Sequence, residues 1–395
     1  MSRLNSKGRF KKVIQWFHLW LGLISGLVFF IMGLTGAIYA YQPELSRLTQ
    51  PYLTVKEESR AYLPISKLSE IAARQLPGKK PTRIIYYAKD RAVTVHFIKR
   101  GSDPYYWAVY LNPYNGEVLK TSNTETEFFR FILRGHMYLW LPQPIGKVVV
   151  AVCMVIFTVI VISGLILWWP RNKNARKSSY SIKWGASPKR LNYDLHRVLG
   201  FYASWVLVFI VATGLAWSFE SVMKAEYWLF SGGKERPAPP KFISNNGGNN
   251  AAQSALDKIL FTATQNYPGI EHYQVRLPDS DSASVNVIMY LEEGKYAPAD
   301  NLYFNQYTAE PFTAQNWGLY KDANAGEKAN RMTYDIHTGG IGGVAGRTLV
   351  FFTGLIAASL PVTGFYIWWG KKKKKKKKTV ARLRIIKKTP ERELV

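Results

Sequence analysis

Four stretches of this chain, residues 13–43, 148–170, 198–219 and 348–370, contain no Asp, Glu, Lys or Arg. Each exceeds the roughly 20 residues that an α-helix needs to cross a hydrocarbon layer about 30 Å thick. A helix in a water-soluble core keeps a polar face, whereas these stretches are apolar all round. The expected fold class is therefore membrane α-helical, with four transmembrane helices. The first stretch is too long for a cleaved leader and has no small-residue cleavage pattern, so it reads as a retained span.

The charge distribution orients those spans. Residues 1–12 hold five Lys/Arg and no acid; residues 170–194 hold seven against Asp194; residues 371–395 hold thirteen against Glu391 and Glu393. These three segments carry most of the formal net charge of +27. If the spans alternate, all three lie on one side, the positive-inside pattern. The expectation is a multi-pass membrane protein with cytoplasmic N and C termini. The basic excess then marks topology and attraction to anionic membrane lipid rather than a nucleic-acid partner. The single cysteine, Cys153, lies inside the second span. One thiol cannot form an intrachain disulfide or hold an iron–sulfur cluster, so any redox chemistry needs another cofactor.

The chain reads as a duplication. His18-Leu-Trp-Leu-Gly22 recurs as His196-Arg-Val-Leu-Gly200, and Thr35-Gly36 and Thr213-Gly214 each begin 17 residues after those histidines. His136 precedes Ser163-Gly164 and Trp168-Trp169; His337 precedes Thr363-Gly364 and Trp368-Trp369, with a slip of one residue. Each half is span, extracytoplasmic segment, span, which predicts a parallel tandem repeat about an axis along the membrane normal. The two long loops repeat as well. Residues 65–76 and 255–265 have helical periodicity. Residues 82–87, 92–98 and 106–111 in the first loop, and 273–277, 284–290 and 302–304 in the second, alternate like strands. Asn112-Pro-Tyr-Asn-Gly116 is a turn, since Pro presets φ and Asn-Gly accepts positive φ; Asn305-Gln-Tyr-Thr-Ala309 occupies the equivalent place. Two small α+β modules follow, with a flexible linker at 245–250.

Four of six histidines cluster at the span boundaries. His18 and His196 lie just inside the cytoplasmic ends of spans one and three, while His136 and His337 precede spans two and four on the opposite side. Ionisable groups in or beside spans are costly and mark candidate sites. Zinc calls for further Cys, His, Asp or Glu ligands, which the spans lack. A proton relay would use midplane carboxylates, also lacking. Haem needs two axial ligands and a flat apolar slot. At about 100° per residue, Gly22, Gly26, Gly33 and Gly36 fall within roughly 80° of His18, and Gly200, Ser204 and Gly214 share a side with His196. Such faces admit a porphyrin or pack helix on helix. Arg134, Arg197, Arg331 and Arg347 stand near the four histidines as candidate partners for haem propionates; headgroup anchoring explains Arg197 equally well. His96 and His272 read as surface or packing residues, and the tryptophan pairs as interfacial anchors. Phe128, Phe129, Tyr138, Trp140, Trp317, Tyr320 and Tyr334 line either an outer site or the interface. No nucleotide-binding Gly-rich loop occurs, so an electron donor would be a separate molecule.

These motifs, with Gly135-His136, Asp335-Ile-His337 and the terminal Gly-x-x-x-Trp-Trp of each half, resemble the PepSY-associated transmembrane family. The resemblance covers about residues 10–372. The segment from Tyr110 to Val118 resembles the strand–turn–strand of a PepSY module, with Asn112 where an acid is common; Ala309 departs from the turn glycine. The implied organisation is a basic N-terminus (1–12), span one (13–43), PepSY-like module 1 (44–135), span two with its His segment (136–170), a basic loop (171–194), span three (195–220), PepSY-like module 2 (221–336), span four with its His segment (337–370) and a basic tail (371–395). The resemblance implies a haem-dependent ferric-chelate reductase. It would carry two b-type haems, one on His18 and His196 and one on His136 and His337. Electrons from a cytoplasmic or quinol donor would pass to a ferric siderophore in the periplasm, releasing Fe(II) for uptake. No catalytic residue beyond the haem ligands is implied. The alternatives are a non-enzymatic PepSY regulator or assembly factor and a haem conduit to another acceptor. Oligomeric state is not implied.

Overall fold

A computed structural model describes residues 2–170, 172–245, 252–312 and 318–386. The linker residues 246–250, Trp317 and the last nine residues of the basic tail lie outside the described residues. In chain order the elements are α1 (Ser2–Ala40), α2 (Gln42–Thr49), α3 (Ile65–Gln75), β1 (Arg83–Tyr86), β2 (Val93–Lys99), β3 (Tyr105–Leu111), β4 (Val118–Asn123), α4 (Phe128–Tyr138), α5 (Gln143–Trp168), α6 (Lys173–Ser179), α7 (Pro188–Ser218), α8 (Glu220–Phe230), α9 (Ala252–Gln265), β5 (Tyr273–Arg276), β6 (Ser284–Tyr290), β7 (Ala299–Asn305), α10 (Ala325–Thr338) and α11 (Gly343–Ile386). They form two compact units, residues 1–38, 133–218 and 349–395 in one and residues 39–132 and 219–348 in the other.

The helical unit contains four helices long and apolar enough to cross a membrane, over Arg9–Ala40, Gln143–Trp168, Pro188–Ser218 and Gly340–Lys371. Leu27, Val148, Trp205 and Phe352 are exposed apolar side chains on these helices, the distribution expected where lipid rather than water is the solvent. Small residues bring the helices together. Gly33 of α1 meets Gly354 and Ala358 of α11 so closely that a Cβ on Gly33 would stand 2.8 Å from backbone atoms of both. Ala203 and Leu207 of α7 pack with Ala357 of α11, against Phe157 of α5. Pro361 lies inside α11, where its missing N–H interrupts the helical ladder; a Cβ at Gly26 would lie 3.2 Å from its ring.

The second unit is built on one seven-stranded sheet of order β4-β3-β2-β1-β5-β6-β7, and every pairing is antiparallel. The two modules expected from the sequence are both present, and they meet edge to edge. β1 pairs with β5 through Arg83↔Arg276, Ile84↔Val275, Ile85↔Gln274 and Tyr86↔Tyr273. One face carries a shared core in which Ile84, Val95 and Val109 of the first module join Val275, Val287 and Phe304 of the second. The helices α3 and α9 cover that face with Ile65, Leu68 and Ala72, and with Ala255, Ile259 and Ala263, apolar positions spaced three or four apart as one helix face requires. Asp257 of α9 accepts from the Ser66 backbone N–H at 3.0 Å and from its hydroxyl at 2.6 Å, tying the two helices at the first turn of α3.

The two turns are equivalent in detail. Asn112 Oδ1 accepts from Tyr114 N–H at 2.9 Å and Asn305 Oδ1 from Tyr307 N–H at 2.9 Å. Gly116 has φ of +77°, and Ala309, in the matching place, has φ of +62°. The turn is kept although an L side chain in that region costs roughly 1–2 kcal/mol. The fourth strand of the first module has only an isolated bridge, Phe304↔Pro311, as its counterpart among the described residues.

Candidate functional site

His18 on α1 and His196 on α7 face one another in the helical unit. Their ring centroids are 6.5 Å apart and their planes lie at 87°. Each ring is held from behind by the helix that follows in its own half. His18 Nδ1 is 2.9 Å from Ser163 Oγ on α5, and His196 Nδ1 is 2.9 Å from Thr363 Oγ1 on α11. Each hydroxyl also reaches helix carbonyls: Ser163 Oγ lies 3.0 Å from Ile160 O, and Thr363 Oγ1 3.0 Å from Ser359 O and Leu360 O. With the hydroxyl protons on those carbonyls, each hydroxyl oxygen accepts from Nδ1–H and each Nε2 keeps its lone pair. Neither Nε2 has a hydrogen-bond partner among the described residues. Glycine follows both hydroxyl residues, and a Cβ at Gly164 or Gly364 would stand 3.3 Å from Cε1 of the facing histidine. Ser163-Gly164 and Thr363-Gly364 entered the sequence reading only as markers of the repeat; their contact with the histidines requires two helices to be brought together.

The glycine face of α1 serves more than one purpose. Nothing lies within 4 Å of a Cβ placed at Gly22, next to His18 on the same face, whereas Gly26 and Gly33 are taken up by α11. Gly200 faces the side chain of Leu360 at 3.4 Å. Gly36 receives His136, whose Cε1 would be 3.0 Å from a Cβ there. His136 Nδ1 lies 3.0 Å from Met32 O and 3.4 Å from Thr35 Oγ1, so this histidine too is oriented through Nδ1. Leu139 and Trp140 have φ of +54° and +57°, a left-handed turn between α4 and α5 that folds the Trp140 ring onto Gly135.

His337 lies in the last turn of α10, which ends at Gly339 with φ of +79°; it belongs to the sheet-containing unit, and His136 to the helical one. Asp335, two residues before it, is buried and accepts from Tyr296 N–H at 3.0 Å and Ala297 N–H at 2.7 Å, anchoring the loop before β7 to α10.

The four arginines singled out from the sequence have diverse surroundings. Arg197 pairs with buried Asp194 at 3.7 Å, donates to Ser178 O and lies over the Tyr193 ring. Arg331 pairs with Glu327 and donates to Ala299 O at 2.8 Å. Arg347 holds Glu44 with Nε at 2.9 Å and Nη2 at 2.5 Å. Arg134 lies on α4 beside His136. Trp168 is buried, stacked on Phe201 at 3.6 Å and donating to Ser179 O at 3.2 Å; only its neighbour Trp169 is exposed in the manner of an interfacial anchor.

Among the described residues no three His, Cys, Asp or Glu side chains gather at one point, so the arrangement does not offer the tetrahedral or octahedral cages of zinc or calcium. It offers two opposed imidazoles in an apolar helix bundle. No curated protein matches this chain. A family model does match, over residues 15–371, nearly the whole of the described chain. This four-helix membrane protein with its sheet-bearing modules belongs to the family described as the PepSY-associated TM region.

Proposed function

We propose that the chain is a di-haem b membrane reductase that delivers electrons to a ferric chelate in the periplasm. The observation that carries this reading is the His18–His196 pair with its matched hydroxyl partners. Two imidazoles sharing one metal ion through bonds of about 2.0 Å, each nitrogen about 1.1 Å from its centroid, would have centroids about 6.2 Å apart. The observed separation is 6.5 Å. Nδ1–H donated to a protein oxygen is the usual arrangement of a metal-ligating histidine, and on both rings Nδ1 has such an oxygen at 2.9 Å. Open space beside Gly22 supports a flat ring at this level.

In this reading His18 and His196 would hold the inner haem. Ser163 and Thr363 keep Nε2 unprotonated. The surrounding apolar helices exclude water. The haem, when bound, supplies one-electron transfer. The resemblance and the repeat extend the same role to His136 and His337 for an outer haem, in a bacterial inner membrane with both termini cytoplasmic. A ferric siderophore is the acceptor implied by the resemblance, with the donor a quinol or a cytoplasmic reductant. Reduction of iron at a haem edge requires no covalent intermediate, so no further catalytic side chain is needed.

The test is the absorption spectrum of the purified protein, oxidised and dithionite-reduced, with a pyridine haemochrome count. Two b-type haems per chain are expected, and either His18→Ala or His196→Ala should remove one of them. Anaerobic reoxidation by ferric siderophores then separates a reductase from a conduit to another acceptor. A protein that takes up no haem after reconstitution is instead a PepSY membrane regulator.

A further inference from the structure

The sheet has a second face, opposite the shared core. Strand alternation turns Ile84, Tyr86, Tyr273 and Val275 into the core, so Arg83, Tyr87, Arg276 and His272 lie on the other side. At the junction of the modules Arg83 and Arg276 are direct cross-strand partners. Like charges placed directly opposite on antiparallel strands repel. No ion pair with either arginine occurs among the described residues; burial disfavours the charge on Arg83, the cations Arg276 and Arg100 add to that, and only Tyr87 and Tyr290 act against it. Arg83 Nε is buried without a hydrogen-bond partner, which by itself is unfavourable. The row continues outward with His96 on β2 and Asn286 on β6, the register partners of Arg83 and Arg276. Further along this face His272 is sandwiched between Tyr87 and Tyr290, with centroids at 5.2 Å and 4.2 Å.

We propose that Arg83 and Arg276 form an anion site for the carboxylate-rich shell of a metal chelate, with the Tyr87–His272–Tyr290 stack as its apolar wall. This rests on the reductase reading for the identity of the ligand, and narrows the substrate to polyanionic chelates. Two guanidinium groups on neighbouring strands suit several carboxylate oxygens at once. A bound polyanion offsets the Arg83–Arg276 repulsion and gives the buried Nε of Arg83 an acceptor. Arg276 is exposed and Arg83 half-buried, so a ligand enters over Arg276.

The experiment is equilibrium binding of gallium(III) citrate, which the protein cannot reduce, to the full chain in zwitterionic nanodiscs. Metal-free citrate and inorganic phosphate are titrated in parallel. Arg83→Gln or Arg276→Gln should each weaken gallium citrate binding roughly tenfold, and the double variant more. Arg47→Gln, which breaks a surface pair with Asp90, should leave binding unchanged. Thermal midpoints of the arginine variants should equal or exceed that of the parent, because a repulsion is removed. Equal binding by parent and double variant, no binding by the parent, equal loss in Arg47→Gln, or phosphate binding as tightly as the chelate would each overturn the site. Because gallium is redox-inert, chelate binding by a protein without haem would sink the reductase reading and leave the site standing. Unimpaired reoxidation by ferric citrate in a haem-replete double variant would do the reverse.

Discussion

At the scale of single residues, the organising chemistry is a proton assigned to one ring nitrogen. Ser163 and Thr363 have helix carbonyls within reach of their hydroxyl protons, which leaves their oxygens to accept from His18 and His196. Removing that acceptor frees the ring to rotate or to take the other tautomer. Ser163→Ala and Thr363→Ala should therefore each lower haem affinity about 10- to 100-fold, read as haem lost on dilution, and shift the midpoint potential of one haem only. An unchanged potential in both variants would reduce these hydroxyls to packing. The hydroxyl residues were visible in the sequence as repeat markers. Their partners were not, since the contacts span 145 and 167 residues of chain.

At the scale of elements, the glycines of α1 separate two functions that helical periodicity alone leaves merged. Gly22 faces open space and Gly33 faces the backbone of α11. Gly33→Ala should force the helices apart and destabilise the helical unit by about 1–3 kcal/mol, seen as a lower denaturation midpoint in detergent. Gly22→Ala should leave that midpoint unchanged. A neutral Gly33→Ala would mean that α1 and α11 do not cross there. The same periodicity placed both glycines on the His18 side, because it reports direction around one helix and carries no information about which neighbour arrives. Strand alternation was more informative. Five of the seven strands coincide closely with alternating segments, because the sheet buries one apolar face along most of its length. β4 carries no buried residue, so its sequence lacks the apolar alternation that reveals a strand.

At the scale of the whole molecule, joining the modules through β1 and β5 turns two small sheets into one with a common core. It also brings His96 and His272 onto the sheet's second face. Burial, aided by Arg83, lowers the His96 pKa to about 3; burial, aided by Arg91, lowers that of His272 to about 4. The folded state therefore favours the neutral rings. Their contribution is fully present above the ordinary histidine value of 6.5 and is lost as pH falls through that value towards 4 and then 3. The thermal midpoint of the sheet unit should drop several degrees between pH 6.5 and pH 4, and His272→Phe should flatten the drop. A midpoint independent of pH across that range would show both rings to be solvated. Histidines read from the sequence as packing residues thus acquire an acid sensitivity that depends on their neighbours.

The sequence by itself determined the number of membrane-crossing helices, because bilayer thickness sets a minimum apolar length that can be counted. It also made two sheet-bearing modules legible, because strand and turn spacing survives in one dimension. The tertiary structure alone decided which edges of the two modules join, which glycine meets a helix and which meets space, and that Arg83 stands opposite Arg276. Those outcomes depend on contacts between segments about two hundred to over three hundred residues apart, where local periodicity has no reach and only the simultaneous burial of both partners selects the pairing.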